Sequence, residues 1–71
     1  MTKELLSFIV YIIHACANKW DLKPSAVYKQ MQRVNCIADF LTPNYEVLHT
    51  QGTQYIVEDI KEYLAVRGEF V

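Results

Sequence analysis

The chain has 71 residues, a length that accommodates one small domain and excludes two-domain enzymes, doubly wound nucleotide-binding sheets and barrels. Apolar residues make up 52% of the sequence and charged residues 21%, with two glycines and two prolines, so the chain is of the folded globular class. The net charge of −1 gives no overall positive field to attract a nucleic-acid backbone.

The first predicted element is a long helix over residues 3–19, with Thr2 as its N-cap. Its apolar residues recur at steps of three and four and are Leu5, Leu6, Ile9, Ile12, Ile13, Cys16 and Trp20. Further apolar residues leave little polar face, so this helix is either central to the fold or part of an oligomer interface. The run Leu5–Ala17 is too short to cross a bilayer and lacks the basic flank of a signal peptide. We therefore expect no membrane segment.

A second helix is predicted over residues 24–34, because Pro24 suits a first helical turn. Its predicted inward stripe consists of Val27, Tyr28, Met31 and Val34. Asn35 ends the helix, and residues 37–41 form one short apolar turn. Together with the first helix, this segment contains most of the basic side chains.

Two more elements are predicted after this turn. Thr42 as N-cap and Pro43 at the first helical position predict a short helix over residues 43–49 that buries Val47 and Leu48. Gly52 stops it, Thr53 caps a final helix through about residue 67, and Gly68 is the signal for its end. The sequence therefore predicts a single all-α domain over residues 1–71, a bundle of three principal helices with one or two short helices between the second and the last.

Charge is distributed unevenly along the chain. Residues 1–35 contain five basic and two acidic side chains, whereas residues 36–71 contain two basic and six acidic ones. This polarity is consistent with head-to-tail self-association, with a basic partner for the acidic half, or with solvation alone. The sequence leaves these three interpretations open.

Chemistry at a catalytic or metal site needs residue patterns that this chain lacks. Cys16 and Cys36 belong to no Cys-x-x-Cys or Cys/His cluster and are expected to be small apolar core residues in a reducing cytoplasm. His14 and His49 would supply only two of the four usual metal ligands. We therefore predict a non-catalytic protein with no metal and no cofactor.

The segment from Tyr45 to Gly52 has polar residues that a regular solvated helix does not explain. Tyr45 and His49 are four residues apart and share a helix face, and Thr50 and Gln51 lie where two helices meet. In one interpretation these side chains cap open backbone groups at the corner. In the other they form a recognition surface together with Tyr55. The predicted binding residues are Tyr45, His49, Thr50, Gln51 and Tyr55.

Four segments of the chain resemble one known family. They are Lys3–Val10, Pro24–Tyr28, Pro43–Gly52 and Tyr55–Ile60, and the block Tyr-x-Val-Leu-His-Thr-Gln-Gly at residues 45–52 is the most specific. The family comprises short bacterial proteins, largely from gut anaerobes, known only as a domain of unknown function. Glu46 stands where members commonly carry Asp. The resemblance implies no activity, but members look like companions of a neighbouring protein similar to ADP-ribosyltransferase toxins, which implies an antitoxin or accessory role.

We therefore predict a small module that binds another protein. The alternatives are a self-assembling structural protein, with a homodimer through the first helix, and a weak DNA-binding regulator. The DNA-binding alternative rests on a faint likeness of residues 24–41 to a helix-turn-helix. The segment in the position of the second helix, residues 37–41, is too short and apolar to read bases, so nucleic-acid binding is not favoured.

Overall fold

The computed structural model of the protein describes residues 2–69, which form helices and connecting turns and contain no strand. The helices are α1 (Lys3–Trp20), α2 (Pro24–Arg33), α3 (Tyr45–Leu48) and α4 (Thr53–Val66), and a π-helical turn over Ile37–Leu41 lies between α2 and α3. The predicted all-α fold, with three principal helices and short segments between the second and the last, is confirmed.

Helix α1 is the centre of the fold, because it packs against both α2 and α4. It begins as predicted: the Thr2 hydroxyl accepts a hydrogen bond from the backbone N–H of Leu5 at 3.1 Å. It ends one residue later than predicted, at Trp20, where Asp21 adopts a left-handed conformation with φ of 57°. Its buried residues are Leu5, Ile9, Ile12, Ile13, Cys16 and Ala17.

The segment between α2 and α3 differs from the prediction. Thr42 is helical rather than extended, because its N–H bonds to the carbonyl of Ile37 and completes the π-helical turn. It therefore cannot cap the next helix, and the predicted Thr42 cap is wrong. Helix α3 starts later, at Tyr45, after Asn44, whose side-chain amide donates to the carbonyl of Phe40 at 2.7 Å.

Two apolar residues predicted to be buried are exposed. Val47 is 61% exposed and Tyr28 is 43% exposed, whereas their neighbours Leu48 and Val27 are buried. Consecutive residues of a helix point about 100° apart, so the narrow buried stripes of α2 and α3 include only one member of each pair, whereas the wider stripe of α1 buries both Ile12 and Ile13. We expected burial of Val47 and Tyr28 because we assigned α2 and α3 stripes that were too wide.

Helix α4 begins at Thr53, and the N-cap is Gly52 rather than the predicted Thr53. The hydroxyl of Thr53 instead lies 2.8 Å from that of Tyr11 in α1, a hydrogen bond that ties the two helices together. At the other end, Gly68 has φ of +86°, and the N–H groups of Gly68 and Glu69 bond to the carbonyls of Ala65 and Leu64. This is the glycine-terminated helix end that the sequence predicted.

Replacing Gly68 by alanine is expected to lower the free energy of unfolding by about 1 kcal/mol, because a Cβ disfavours the left-handed backbone there. The matched control is Gly52→Ala, where φ is −66° and a Cβ would meet no atom within 4 Å. There, the entropy removed from the unfolded chain and the weaker N-cap offset each other, so the change is expected to be close to zero. Urea unfolding followed by circular dichroism measures both, and equal losses would contradict this account.

Candidate recognition surface

The polypeptide turns sharply between α3 and α4, and we call residues 45–55 the α3–α4 corner. Backbone hydrogen bonds from the N–H of His49 to the carbonyl of Tyr45 and from the N–H of Gln51 to that of Leu48, both 2.9 Å, hold the turn. Leu48 is buried beneath the corner and anchors it to the core. The corner is therefore a fixed part of the fold.

Tyr45 lies between two other rings. Its ring packs edge-to-face on Phe8 of α1, with ring centroids 5.2 Å apart, and stacks on His49, with centroids 4.7 Å apart at 18° between planes. Phe8 and Tyr45 are half-buried, and His49 is the outer member of the stack. The aromatic stack thus places the imidazole of His49 on the surface in one orientation.

Hydrogen bonds within the corner occupy two of its polar side chains. His49 Nδ1 donates to the carbonyl of Tyr45 at 2.8 Å, which makes Nε2 the acceptor of the neutral ring. The Thr50 hydroxyl donates to the carbonyl of Val47 at 2.7 Å. These are the contacts expected if the corner residues cap open carbonyls. They fix His49 and Thr50 in place.

Exposed apolar side chains precede and follow these fixed polar groups in the sequence. Val47 in α3 is 61% exposed and Tyr55 in α4 is 58% exposed. Tyr55 is one of the predicted binding residues, whereas Val47 was missed because we assigned it to the core. No signal in the sequence decides between Val47 and Leu48, because a helix of only four residues shows no periodic pattern.

The outward side of α4 carries two carboxylates in one stripe, with Lys61 exposed next to them. Tyr55, Glu58, Glu62 and Val66 are spaced by three or four residues, so they form one stripe, which we call the acidic face of α4. All four are exposed, and the half-buried Asp59 lies beside them. The acidic face therefore carries two carboxylates between two exposed apolar side chains, and one of these, Tyr55, also belongs to the α3–α4 corner.

A groove of about 800 Å³ lies on another side of α4, and we call it the α1–α4 groove. It is lined by Tyr11, His14, Ala15, Ala17, Asn18, Lys19, Leu22, Pro24, Thr53, Gln54 and Val57. Its buried and half-buried lining is apolar apart from Thr53, and its exposed lining is polar, aromatic or cationic. Sequence reasoning did not predict this groove, because three separate segments of the chain form it.

The opposite end of the bundle is held by contacts that involve two arginines. Arg67 lies 3.5 Å above the ring of Tyr63, which stacks on Phe40 with centroids 5.0 Å apart. Arg33 forms a two-pronged ion pair with Glu69, with its shortest contact at 2.7 Å. This hydrogen-bonded pairing lowers the pKa of Glu69 and raises that of Arg33. We regard these contacts as structural.

Neither thiol is suited to nucleophilic chemistry. Cys16 and Cys36 are fully buried and unbonded. Burial raises the pKa of the Cys16 thiol to about 12, with a further contribution from Cys36. Burial also raises the pKa of Cys36 to about 11, although Arg67 acts in the opposite direction. Both thiols are therefore protonated at neutral pH, and a protonated thiol is a weak nucleophile.

Among residues 2–69, no three His, Cys, Asp or Glu side chains come close enough together to hold a metal ion. No helix in the same range combines the length and the apolar character that crossing a bilayer demands.

Comparison with protein families gives one match. The model of the family described as "Protein of unknown function (DUF3791)" matches residues 7–67, which is most of the chain. The predicted membership of a family of unknown function is thus confirmed. No curated protein and no solved structure matches the chain.

Proposed function

We propose that this chain, which belongs to the DUF3791 family, is a cytoplasmic, non-catalytic protein-interaction module that binds its partner through the α3–α4 corner. The observation that carries the proposal is the exposure of Val47 and Tyr55 in a corner held by its own hydrogen bonds. Exposed aromatic side chains on a fixed surface are typical anchors of protein interfaces.

The rigidity of the corner supports this proposal energetically. Binding costs free energy when side chains lose freedom, typically about 0.5–1.5 kcal/mol for each side chain with many rotamers. His49 and Thr50 are already fixed, by the Tyr45 stack and by hydrogen bonds to backbone carbonyls. Less order therefore has to be imposed when the partner binds. In this proposal Tyr45 positions His49. The residues that contact the partner directly are Val47, His49, Gln51 and Tyr55.

The carboxylates next to the α3–α4 corner favour a partner with a basic surface. The acidic face of α4 continues from Tyr55 along Glu58 and Glu62. An interface that includes Tyr55 lies next to these carboxylates, which favour a basic partner surface and repel an acidic one. We therefore propose that the partner carries Lys or Arg side chains next to the pocket that receives Tyr55.

The most specific form of the proposal follows from the family resemblance described above. It makes the partner a protein encoded next to this one, similar to an ADP-ribosyltransferase toxin, and makes the chain its antitoxin or accessory subunit. Such a role needs no chemistry, because a small domain that covers a functional surface inhibits by occlusion. The buried thiols and the fixed corner are compatible with this role.

The test is to capture the partner from a lysate of the native host, identify it by mass spectrometry, and measure its affinity for purified variants. Tyr55→Ala combined with Val47→Ala is expected to weaken binding at least tenfold, about 1.4 kcal/mol, with little effect on thermal unfolding. Tyr28→Ala is the matched control, because Tyr28 is an exposed tyrosine in another helix. Equal affinities for the double variant and the Tyr28 variant would contradict the proposed surface.

A further inference from the structure

The lining of the α1–α4 groove contains cationic side chains and no acidic ones. His14 and Lys19 are the only side chains in its lining that can carry a positive charge, and no carboxylate is among its lining residues. Beside the lining, the exposed Asp21 and Lys23 flank Leu22 in the chain and carry opposite charges, so the positive character comes from the lining residues themselves. The groove is therefore suited to a segment that brings carboxylates.

The start of α4 adds to this positive character. Thr53 and Gln54, the first two residues of α4, line the groove. This helix has no acidic residue in its first turn and no side-chain cap, so the positive end of its dipole is not neutralised locally. In contrast, α1 has both a Thr2 cap and Glu4 in its first turn. The dipole of α4 adds to the effect of Lys19, while the last turn of α1, where the helix dipole is negative, also lines the groove.

The lining of the groove is also apolar below its polar edge. Val57 and Ala17 are buried, and Ala15, Leu22 and Pro24 are half-buried. A segment that fits this groove should therefore present both carboxylates and apolar side chains. The acidic face of α4 has this composition, with Glu58 and Glu62 between Tyr55 and Val66, which is 74% exposed.

These two complementary surfaces lie on different sides of the same helix. Thr53 and Val57 face the groove, whereas Tyr55, Glu58 and Glu62 belong to the stripe that faces outward. One molecule cannot place its own outward stripe in its own groove, so only another copy can join them. From Tyr55 to Val66 the stripe is about 16 Å long at the rise of an α-helix, which is within the 27 × 21 × 20 Å extent of the protein.

We propose that the acidic face of α4 of one copy docks in the α1–α4 groove of a second copy, so that the protein self-associates head to tail. In a head-to-tail pair one copy retains a free groove and the other a free acidic face, so further copies can add and the average mass grows with concentration. Tyr55 belongs to this contact and to the α3–α4 corner, so a bound partner and a neighbouring copy exclude each other. The proposal needs no partner and is tested without one.

Analytical ultracentrifugation tests it on the full chain from about 10 µM to about 1 mM, which covers weak affinities. At about 20 mM salt the average mass is expected to rise with concentration, and at about 500 mM salt the protein is expected to be monomeric, because salt screens exposed charges. Lys19→Glu and Glu62→Lys are each expected to weaken association at least tenfold. An equimolar mixture of the two variants is expected to restore it, because each reversed surface then finds its complement.

Lys29→Glu is the matched control, because it makes the same charge change on the exposed surface of α2, outside the groove. It should associate like the unmodified protein. Three results would overturn the proposal: a monomer at about 1 mM in low salt, equal behaviour of the Lys19 and Lys29 variants, or a mixture that stays monomeric. Circular dichroism of each variant establishes that the substitutions, all at exposed positions, leave the helices intact.

Discussion

Truncating Ile12 to alanine is expected to lower the free energy of unfolding by about 3 kcal/mol, as large-to-small changes in packed cores do. Ile12 is 0% exposed and lies in the middle of α1, the helix that packs against both α2 and α4. The cavity left behind would lie at the point where the principal helices meet. A domain of this size has a stability of only about 5 kcal/mol, so the variant should retain about 2 kcal/mol and unfold at a clearly lower urea concentration.

The control for this prediction lies in the same helix. Leu6 is also in α1, its side chain has the same number of atoms as that of Ile12, and it is 52% exposed. Leu6→Ala should change the free energy of unfolding by about 0.5 kcal/mol or less, because it removes few packed atoms. Urea unfolding at 25 °C, with circular dichroism and tryptophan fluorescence as independent probes, measures both variants. Similar losses for the two would show that α1 is not the centre of the core.

The long helices could be predicted from the sequence because local rules determine them. In α1, the spacing of apolar residues identifies the buried face, and Thr2 marks the start of the helix. Gly68 marks the end of α4, where only a residue without Cβ adopts its backbone angle at low cost. In both places a few neighbouring residues determine the local structure.

The region between α2 and α4 was harder to predict, because contacts distant in sequence decide it. Thr42 followed by Pro43 has the local pattern of a helix start, yet the π-helical turn uses the N–H of Thr42. Leu48 is buried and Val47 is exposed, and which of the two packs on the core depends on how α3 lies against the rest of the chain. A helix of a single turn contains too few residues to show a periodic pattern, so its buried side is easily assigned to the wrong residue.

The two candidate surfaces also differ in how far the sequence predicts them. The hydrogen bonds of His49 and Thr50 follow from the general need of terminal carbonyls for donors, so the sequence predicts the capping contacts of the corner. The α1–α4 groove combines α1, the turn before α2 and the start of α4, and its closing hydrogen bond joins Tyr11 to Thr53. Only the packed chain brings these residues together.

Raising the pH above about 8.5, the ordinary pKa of a thiol, is expected to destabilise the fold steeply. Burial raises the pKa of Cys16 to about 12 and that of Cys36 to about 11. Between the ordinary and the raised values, the unfolded chain releases thiol protons that the folded chain retains. The folded state then binds more protons, so the free energy of unfolding falls as pH rises, by up to about 1.4 kcal/mol per pH unit for each thiol.

Urea unfolding at pH 7.5, 9 and 10 measures this slope, and the Cys16→Ala/Cys36→Ala variant isolates the part due to the thiols. The variant should be less stable at pH 7.5, because it removes buried sulfur atoms, but its stability should fall much less with pH. Contributions of all other groups to the pH profile are common to both proteins, so they largely cancel in the comparison. Parallel pH profiles would mean that water reaches the thiolates in the folded state, and that the junction of α1 with the π-helical turn is more open than the burial of Cys16 and Cys36 indicates.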